Sequence, residues 1–332
     1  MSGNKNLVAF VVLAALLGIT VWQFKARDAE DQRGADVTVT LPKLKKEDVD
    51  ELSISAPEKT PVTFKKVDNK WRMTAPVQTE ADSSAIDTAL SKLAEIEVIG
   101  VAATKPENHA GLEVVEGKAI HVTAKGADKP LLDLLIGVYR SGNTIAREPS
   151  NNNAAVIKGS VRYAFDKVVK DWRDRTVTGL TAEQVGAITF QNKDGTFNFV
   201  KEGSEWKQAP IDKKIPNFES GKIVSLVGTA TSMRANDFAS EDATADSVGV
   251  GDKPVGKVTI TTSGDAGSQQ VVLLVGNKRD DGYYLKNEAK APIYVVSDFA
   301  GSRMLSGPDK FVKDEPGKVV EVNPIAKKKI SK

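Results

Sequence analysis

An uninterrupted apolar run near the N-terminus is the first feature of the hydropathy pattern. Residues 7–24 read LVAFVVLAALLGITVWQF and hold no charged side chain. A helix rises about 1.5 Å per residue, so this run nearly spans a hydrocarbon core of roughly 30 Å. Trp22 lies near its end, where aromatic rings favour the membrane interface. The pattern predicts one uncleaved transmembrane anchor over residues 1–24.

Two other interpretations of this run stay open, a cleaved signal peptide and a buried core helix. A signal peptide has a shorter apolar region and a small-residue cleavage site, which the WQFK end of the run lacks. The orientation is open as well. Lys5 precedes the run whereas Lys25, Arg27 and Arg33 follow it, which mildly favours a cytoplasmic C-terminal side. Long domains, however, cross the membrane largely regardless of such charges.

Beyond the anchor the pattern changes to short alternating segments. Leu52 and Ile54 alternate with polar residues, and Ile188 and Phe190 do the same later in the chain. A period of two predicts half-buried strands, and the NKDG sequence at 192–195 predicts a hairpin turn.

A helix is expected after each set of hairpins. Near Asp82 a side-chain oxygen can cap a helix whose apolar residues recur at spacings of three and four. Further strands are expected at 119–123, 131–136, 144–147 and 155–157, with a short helix around 161–169. Their counterparts are expected at 258–262, 271–275, 283–286 and 293–296, with a short helix at 299–305. The expected fold class is α+β, with mainly antiparallel sheets and one or two helices in each module.

The chain contains two copies of the same sequence pattern. DKVVKD at 166–171 recurs as DKFVKD at 309–314, LLIG at 134–137 recurs as LLVG at 273–276, and Gly111-Leu112 aligns with Gly249-Val250. Spacings this long indicate a duplicated domain rather than a solenoid. We therefore predict two homologous modules, at residues 47–178 and 179–316.

The flanking segments differ from both modules in composition. Residues 25–46 are charged and poor in aromatics, which predicts a juxtamembrane stalk. Residues 317–332 form a basic tail that either contacts anionic lipid or a partner or is simply solvated. The whole chain has 46 Lys and Arg against 44 Asp and Glu, a balance that argues against nucleic acid as a partner.

Residue types exclude several chemistries. The chain has no cysteine and only two histidines, His109 and His121, so thiol catalysis, disulfides and multi-histidine metal centres are not expected. Neither histidine has a histidine counterpart in the other copy, and His121 is expected to face solvent on a strand. A pair of carboxylates brought together by folding stays open.

One segment resembles a phosphate-binding loop. Residues 251–257 read GDKPVGK, but Val258 stands where a magnesium-ligating Ser or Thr is required, and a strand follows instead of a helix. We expect no bound nucleotide. No catalytic, cofactor-binding or metal-binding residue is assigned, and no cofactor or enzymatic activity is expected.

Tryptophans are the other candidates for binding residues. Trp71 and Trp206 occupy the same place in the repeat, just before a proline, which favours buried anchors over a stacking platform for sugars. The charged WRDR sequence at 172–175 lies between the copies, has no such counterpart in the second copy, and is assigned to the junction between the modules.

These elements together resemble the bacterial DUF4340 family over residues 7–314. The resemblance rests on the apolar run, LPKL at 41–44, the strand at 49–54, the Trp71…Pro76 segment, Gly111-Leu112, 135–137 and 172–174. It implies no established enzymatic activity and therefore no catalytic residues. It implies a membrane-anchored protein with periplasmic modules, acting as an auxiliary component of ABC-type transporters of the gliding-motility kind.

The expected function is that of a non-catalytic, single-pass protein of the bacterial inner membrane that binds a membrane-embedded partner such as an ABC transporter permease. The lipid bilayer is contacted through the N-terminal helix. Two alternatives stay open: a module that binds envelope glycan or lipid in a groove between the copies, and a cryptic hydrolase.

Overall fold

The computed structural model describes residues 38–209, 214–263 and 268–314, together with Thr20. Contacts divide the chain into two units between Asp174 and Arg175, close to the predicted boundary. Apart from Thr20, the predicted anchor lies outside the described residues, and so does the predicted tail at 317–332. Among the described helices, none has the length and apolarity needed to span a membrane.

The first module is built on a nine-stranded sheet in which every neighbouring pair of strands is antiparallel. The strand order is β4-β3-β2-β1-β6-β7-β8-β9-β5. The elements are β1 (Glu51–Ser55), β2 (Val62–Val67), β3 (Lys70–Ala75), β4 (Thr79–Glu80), α1 (Ser83–Ala94), β5 (Val98–Ala103), β6 (Ile120–Gly126), β7 (Lys129–Arg140), β8 (Asn143–Arg147) and β9 (Ala154–Lys158).

The second module repeats this arrangement with an eight-stranded antiparallel sheet in the order β12-β11-β10-β14-β15-β16-β17-β13. Within the described residues it has no counterpart of β4. The elements are β10 (Val185–Asn192), β11 (Gly195–Glu202), β12 (Glu205–Gln208), α2 (Ser220–Ser232), β13 (Asp237–Phe238), β14 (Gly256–Thr262), β15 (Gln270–Arg279), β16 (Gly282–Asn287), β17 (Ile293–Ser297) and α3 (Asp298–Met304). The predicted α+β class and the tandem duplication are confirmed.

The core of the first module lies between its sheet and α1. As predicted, Asp82 caps this helix, because its carboxylate accepts a hydrogen bond of 3.0 Å from the amide of Ala85. The buried face of the helix packs on the sheet, where Phe64 contacts Trp172 with 5.5 Å between ring centroids. The boundary between the units falls within the predicted junction sequence at 172–175, and the first residue of that sequence, Trp172, is buried in the core of this module.

An aromatic cluster fills the core of the second module. Phe311 packs against Phe199, with ring centroids 4.8 Å apart, and against Phe190 at 5.9 Å. Ile223 and Leu226 of α2 are buried in the same core. The aromatic residues come from the first hairpin and from the end of the module. The core therefore brings together the beginning and the end of the module.

Three local features differ from the sequence predictions. The strand β5 lies where a loop was expected, and it pairs with the distant β9. The expected helix at 161–169 is replaced by two short 3-10 turns, Arg162–Ala164 and Val169–Trp172. Residues 38–46 of the predicted stalk place Val39 and Leu44 in the core, so the first module begins before position 47.

Two equivalent glycines show how the modules align. A Cβ atom added to Gly137 would lie 2.3 Å from the carbonyl oxygen of Leu112, and one added to Gly276 would lie 2.3 Å from that of Val248. Leu112 therefore corresponds to Val248. The sequence comparison had aligned Leu112 with Val250, two residues further along. In both modules a loop carbonyl packs so closely on the strand that only glycine fits.

Candidate functional site

The segment that resembles a phosphate-binding loop enters a strand, as predicted. Lys257 lies in β14 and pairs with Leu274 of β15. Its backbone is therefore committed to the sheet, and no helix begins there to offer free amides to a phosphate group.

The two histidines play separate structural parts. His109 is buried, and its Nε2 donates to the carbonyl of Asn152 at 2.8 Å. His121 lies on β6, only partly exposed, with Nε2 2.7 Å from Asp133 and Nδ1 3.3 Å from Glu116. Among the described residues, no group of three or more His, Asp or Glu side chains is arranged to hold a metal ion.

The two tryptophans belong to the cores. Trp206 is buried with 4% of its surface exposed, and Trp71 is half-buried and packs against the core of the first module. The prediction of a buried anchor is confirmed for Trp206, whereas Trp71 is only partly buried. The indole of Trp206 is therefore poorly placed to stack on a sugar ring.

Two cations at the ends of β8 and β16 donate to backbone carbonyls of the loops that follow. Arg147 is buried and donates to four carbonyl groups, among them that of Val114 at 2.9 Å. Lys286 donates to the carbonyls of Lys290 and Ala291. Burial lowers the pKa of Arg147 and that of Lys286. These contacts fix loops, so we place neither side chain in a binding site.

A cleft in the second module combines charge, hydroxyl groups and exposed apolar surface. It has a volume of about 380 Å³ and lies between α2, α3 and the 3-10 turn Pro308–Lys310. Its lining includes three cations and two carboxylates, so its formal charge is positive. The lining residues are Lys222, Ser225, Leu226, Ser302, Arg303, Ser306, Asp309, Lys310 and Asp314. We call this feature the α2–α3 cleft.

Arg303 of α3 is the central cation of the α2–α3 cleft. Its Nη2 donates to the hydroxyl of Ser225 on α2 at 2.6 Å. Its guanidinium carbon lies 5.1 Å from the ring centroid of Phe299, one turn earlier on the same helix. Its Nε is buried and has no hydrogen-bond partner among the described residues. The guanidinium therefore offers more donors than its surroundings accept.

The two lysines of the α2–α3 cleft are paired near the surface. Lys222 lies 2.7 Å from Asp314, and Lys310 lies 3.0 Å from Asp309. Both carboxylates are exposed, so water and salt screen these pairs. By contrast, the described residues place no carboxylate within 4.0 Å of the Arg303 guanidinium.

An exposed aromatic side chain flanks the α2–α3 cleft. Phe299 is 65% exposed although it lies at the start of a helix whose other face is buried. It lies four residues before Arg303, on the same face of α3. An aromatic ring beside a guanidinium is a frequent centre of protein interfaces.

The first module offers a comparison within the same chain. In the segment that follows β9, Arg162 donates to Glu113 at 3.0 Å and to the carbonyl of Gly137 at 2.8 Å. This arginine is therefore neutralised inside its own module. The arginine that follows β17, Arg303, has no such carboxylate among the described residues.

The α2–α3 cleft was not predicted from the sequence. A weak signal was present, because Phe299 and Arg303 are four residues apart and so share one face of a short helix. That α3 lies beside Ser225 of α2 could not be read from the sequence, since the contact depends on how two distant elements pack.

Comparison with known proteins identifies the family. The model of the family described as a domain of unknown function, DUF4340, matches residues 71–220 and 217–323. Neither the curated proteins nor the solved structures gave a match. The matched regions together cover most of both modules, including the α2–α3 cleft and the sheets around it. The chain therefore belongs to the DUF4340 family.

Proposed function

We propose that this protein is a non-catalytic interaction subunit that binds a protein partner in a membrane assembly. The observation that supports this proposal is Phe299, a residue that is 65% exposed beside the guanidinium of Arg303. Exposed aromatic surface favours association, because covering it removes apolar area from water. A neighbouring arginine adds directional hydrogen bonds to such an interface.

The proposed location is the bacterial inner membrane, with a single N-terminal span and both modules in the periplasm. The charge-free apolar run at 7–24 supports the span. The proposed partner is a membrane-embedded protein, such as the permease of an ABC-type transporter. This part of the proposal rests on the family resemblance.

Chemical crosslinking in native membranes, followed by mass spectrometry, tests the proposed function. We expect the full-length chain to be recovered in a discrete crosslinked complex with a membrane protein. Recovery of the free monomer alone, at crosslinker levels that capture a known membrane complex, would contradict the proposal.

A second experiment tests the orientation separately. Alkaline phosphatase folds to an active enzyme only where disulfides form, so a C-terminal fusion reports the compartment. We expect an active fusion. A stable but inactive fusion would place the modules in the cytoplasm.

A further inference from the structure

We infer that the α2–α3 cleft is the docking site for this partner, and that it receives an acidic side chain from a protein segment whose apolar residues cover Phe299. The inference rests on the proposed function and adds the location and the chemistry of the contact.

Arg303 has hydrogen-bonding capacity that its surroundings do not use. Its buried Nε has no partner, and its one side-chain partner among the described residues is the neutral hydroxyl of Ser225. Leaving a guanidinium without an anion in a partly buried position is costly, and a carboxylate matches its planar donors in a two-pronged geometry. Arg162 in the first module already has such a partner in Glu113.

The hydroxyl groups of the α2–α3 cleft differ in whether they can donate a hydrogen bond to an incoming anion. Ser225 accepts from Arg303, and no hydrogen bond from its hydroxyl to another group is observed within the described residues, so its proton is available. The hydroxyls of Ser302 and Ser306 instead donate to the carbonyls of Phe299 and Arg303. The donors facing an incoming anion are therefore Arg303, Ser225 and the exposed ammonium groups.

The mixed charges of the α2–α3 cleft favour a protein segment over a lipid surface. Asp309 and Asp314 lie among the cations that line the cleft. These two carboxylates weaken the attraction for a uniformly anionic bilayer, whereas a protein segment can place one carboxylate at Arg303 and apolar or basic residues around it. A cavity of about 380 Å³ accommodates a side chain rather than a folded domain.

Site-specific photocrosslinking of the full-length protein in native membranes tests the inference. A photoreactive phenylalanine analogue replaces Phe299 in one variant and Tyr163 in another. Tyr163 is the matched control, because it is an aromatic residue of the first module with 81% of its surface exposed. We expect a discrete protein adduct from position 299 and none from position 163.

Charge reversal then tests the chemistry of the contact. In the position-299 background, Arg303→Glu should lower the adduct yield by roughly tenfold or more, because one member of a charge pair is reversed. Arg303→Lys should retain part of the yield.

Lys253→Glu is the matched control. Lys253 is an exposed residue of the same module, so this substitution changes the net charge equally and should leave the yield unchanged. Lys310→Glu provides a second test if Arg303→Glu misfolds. Because Lys310 is exposed, its replacement should not affect folding, and it should still lower the adduct yield.

Mapping the adduct completes the test. The crosslinked partner peptide should contain Asp or Glu, and changing that residue to Lys should restore the yield of the Arg303→Glu variant. Adducts with lipid only, equal adducts from position 163, or no response to charge reversal would each overturn the inference. If chemical crosslinking captures a complex while position 299 gives no adduct, the proposed function stands and the docking site is wrong. If neither method captures a complex, both fail.

Discussion

Arg147 and Lys286 occupy equivalent positions in the two sheets. Arg147 lies opposite Leu135, and Lys286 lies opposite Leu274, the matching leucine of the second copy. Each side chain donates to the carbonyl of the residue four positions further along its own loop. A cation at this position therefore holds the loop before β9 and β17 in both modules, although the residue type has changed.

Replacing Lys286 by Met should destabilise the second module by about 1–2 kcal/mol, because two loop carbonyls lose their donor. The pH dependence is a sharper test. Burial holds the pKa of Lys286 below 10.5, so its protonation in the folded state opposes folding at neutral pH. This cost is relieved as the pH rises through the folded pKa.

The stability of the natural protein relative to the Lys286→Met variant should therefore increase in the alkaline range, up to the unfolded pKa. Urea unfolding at several pH values from neutral to alkaline measures this difference. Lys253→Met, at an exposed position, is the control and should track the natural protein throughout. Parallel profiles for the natural protein and Lys286→Met would contradict the prediction.

Gly137→Ala should destabilise the first module by about 1–3 kcal/mol, because the new methyl group would collide with the carbonyl oxygen of Leu112 at 2.3 Å. Gly100→Ala in β5 is the matched control, since its nearest neighbour would lie 4.0 Å away on Val156. Thermal or urea unfolding should separate the two variants. Equal midpoints would show that the loop shifts without cost.

Glu51 on β1 forms ion pairs with Lys125 at 2.7 Å and Lys65 at 2.9 Å, and hydrogen bonds from these lysines lower its pKa below 4.5. Glu51→Gln should reduce stability at neutral pH by about 0.5–1 kcal/mol. The contribution is complete above the unfolded pKa and is lost as the pH falls through the folded pKa.

The difference between the natural protein and Glu51→Gln should accordingly vanish in acid. Urea midpoints measured on both sides of pH 4.5 test this, with Glu107→Gln as the exposed control. A deficit that persists at the acidic end would mean that the glutamine acts through packing rather than charge.

Trp172→Ala should destabilise the first module by about 3–5 kcal/mol, because the indole is fully buried against Phe64. Tyr163→Ala, nine residues earlier and largely exposed, should change stability by less than about 0.5 kcal/mol. Denaturant unfolding followed by circular dichroism compares the two. A small effect of Trp172→Ala would mean that the indole contributes little to the core of the first module.

Local patterns were sufficient to predict the elements that depend on neighbouring residues. The cap at Asp82 follows from its own side chain, and the hairpin between β10 and β11 follows from the turn residues at 192–195. In these cases the interacting groups lie within a few residues of each other.

Features that depend on distant residues could not be predicted in the same way. In β5 only Ala103 is buried, so the segment lacks the alternation that indicates a strand, and its pairing with β9 depends on the finished sheet. The α2–α3 cleft depends on a contact between Ser225 and Arg303 across the module. The packing of Trp172 against Phe64 likewise joins residues far apart in the chain and leaves no trace in the local sequence.

The strand order of each sheet has a consequence for how this protein arose. β1 lies between β2 and β6, and β10 lies between β11 and β14, so the centre of each sheet joins the beginning of a module to its second half. A fragment ending after the helix would expose the hydrogen-bonding edge of β1 or β10 and lack most of its core. No half of a module is thus a self-sufficient ancestor. The smallest unit that gene duplication could have copied to give two folded parts is one entire module.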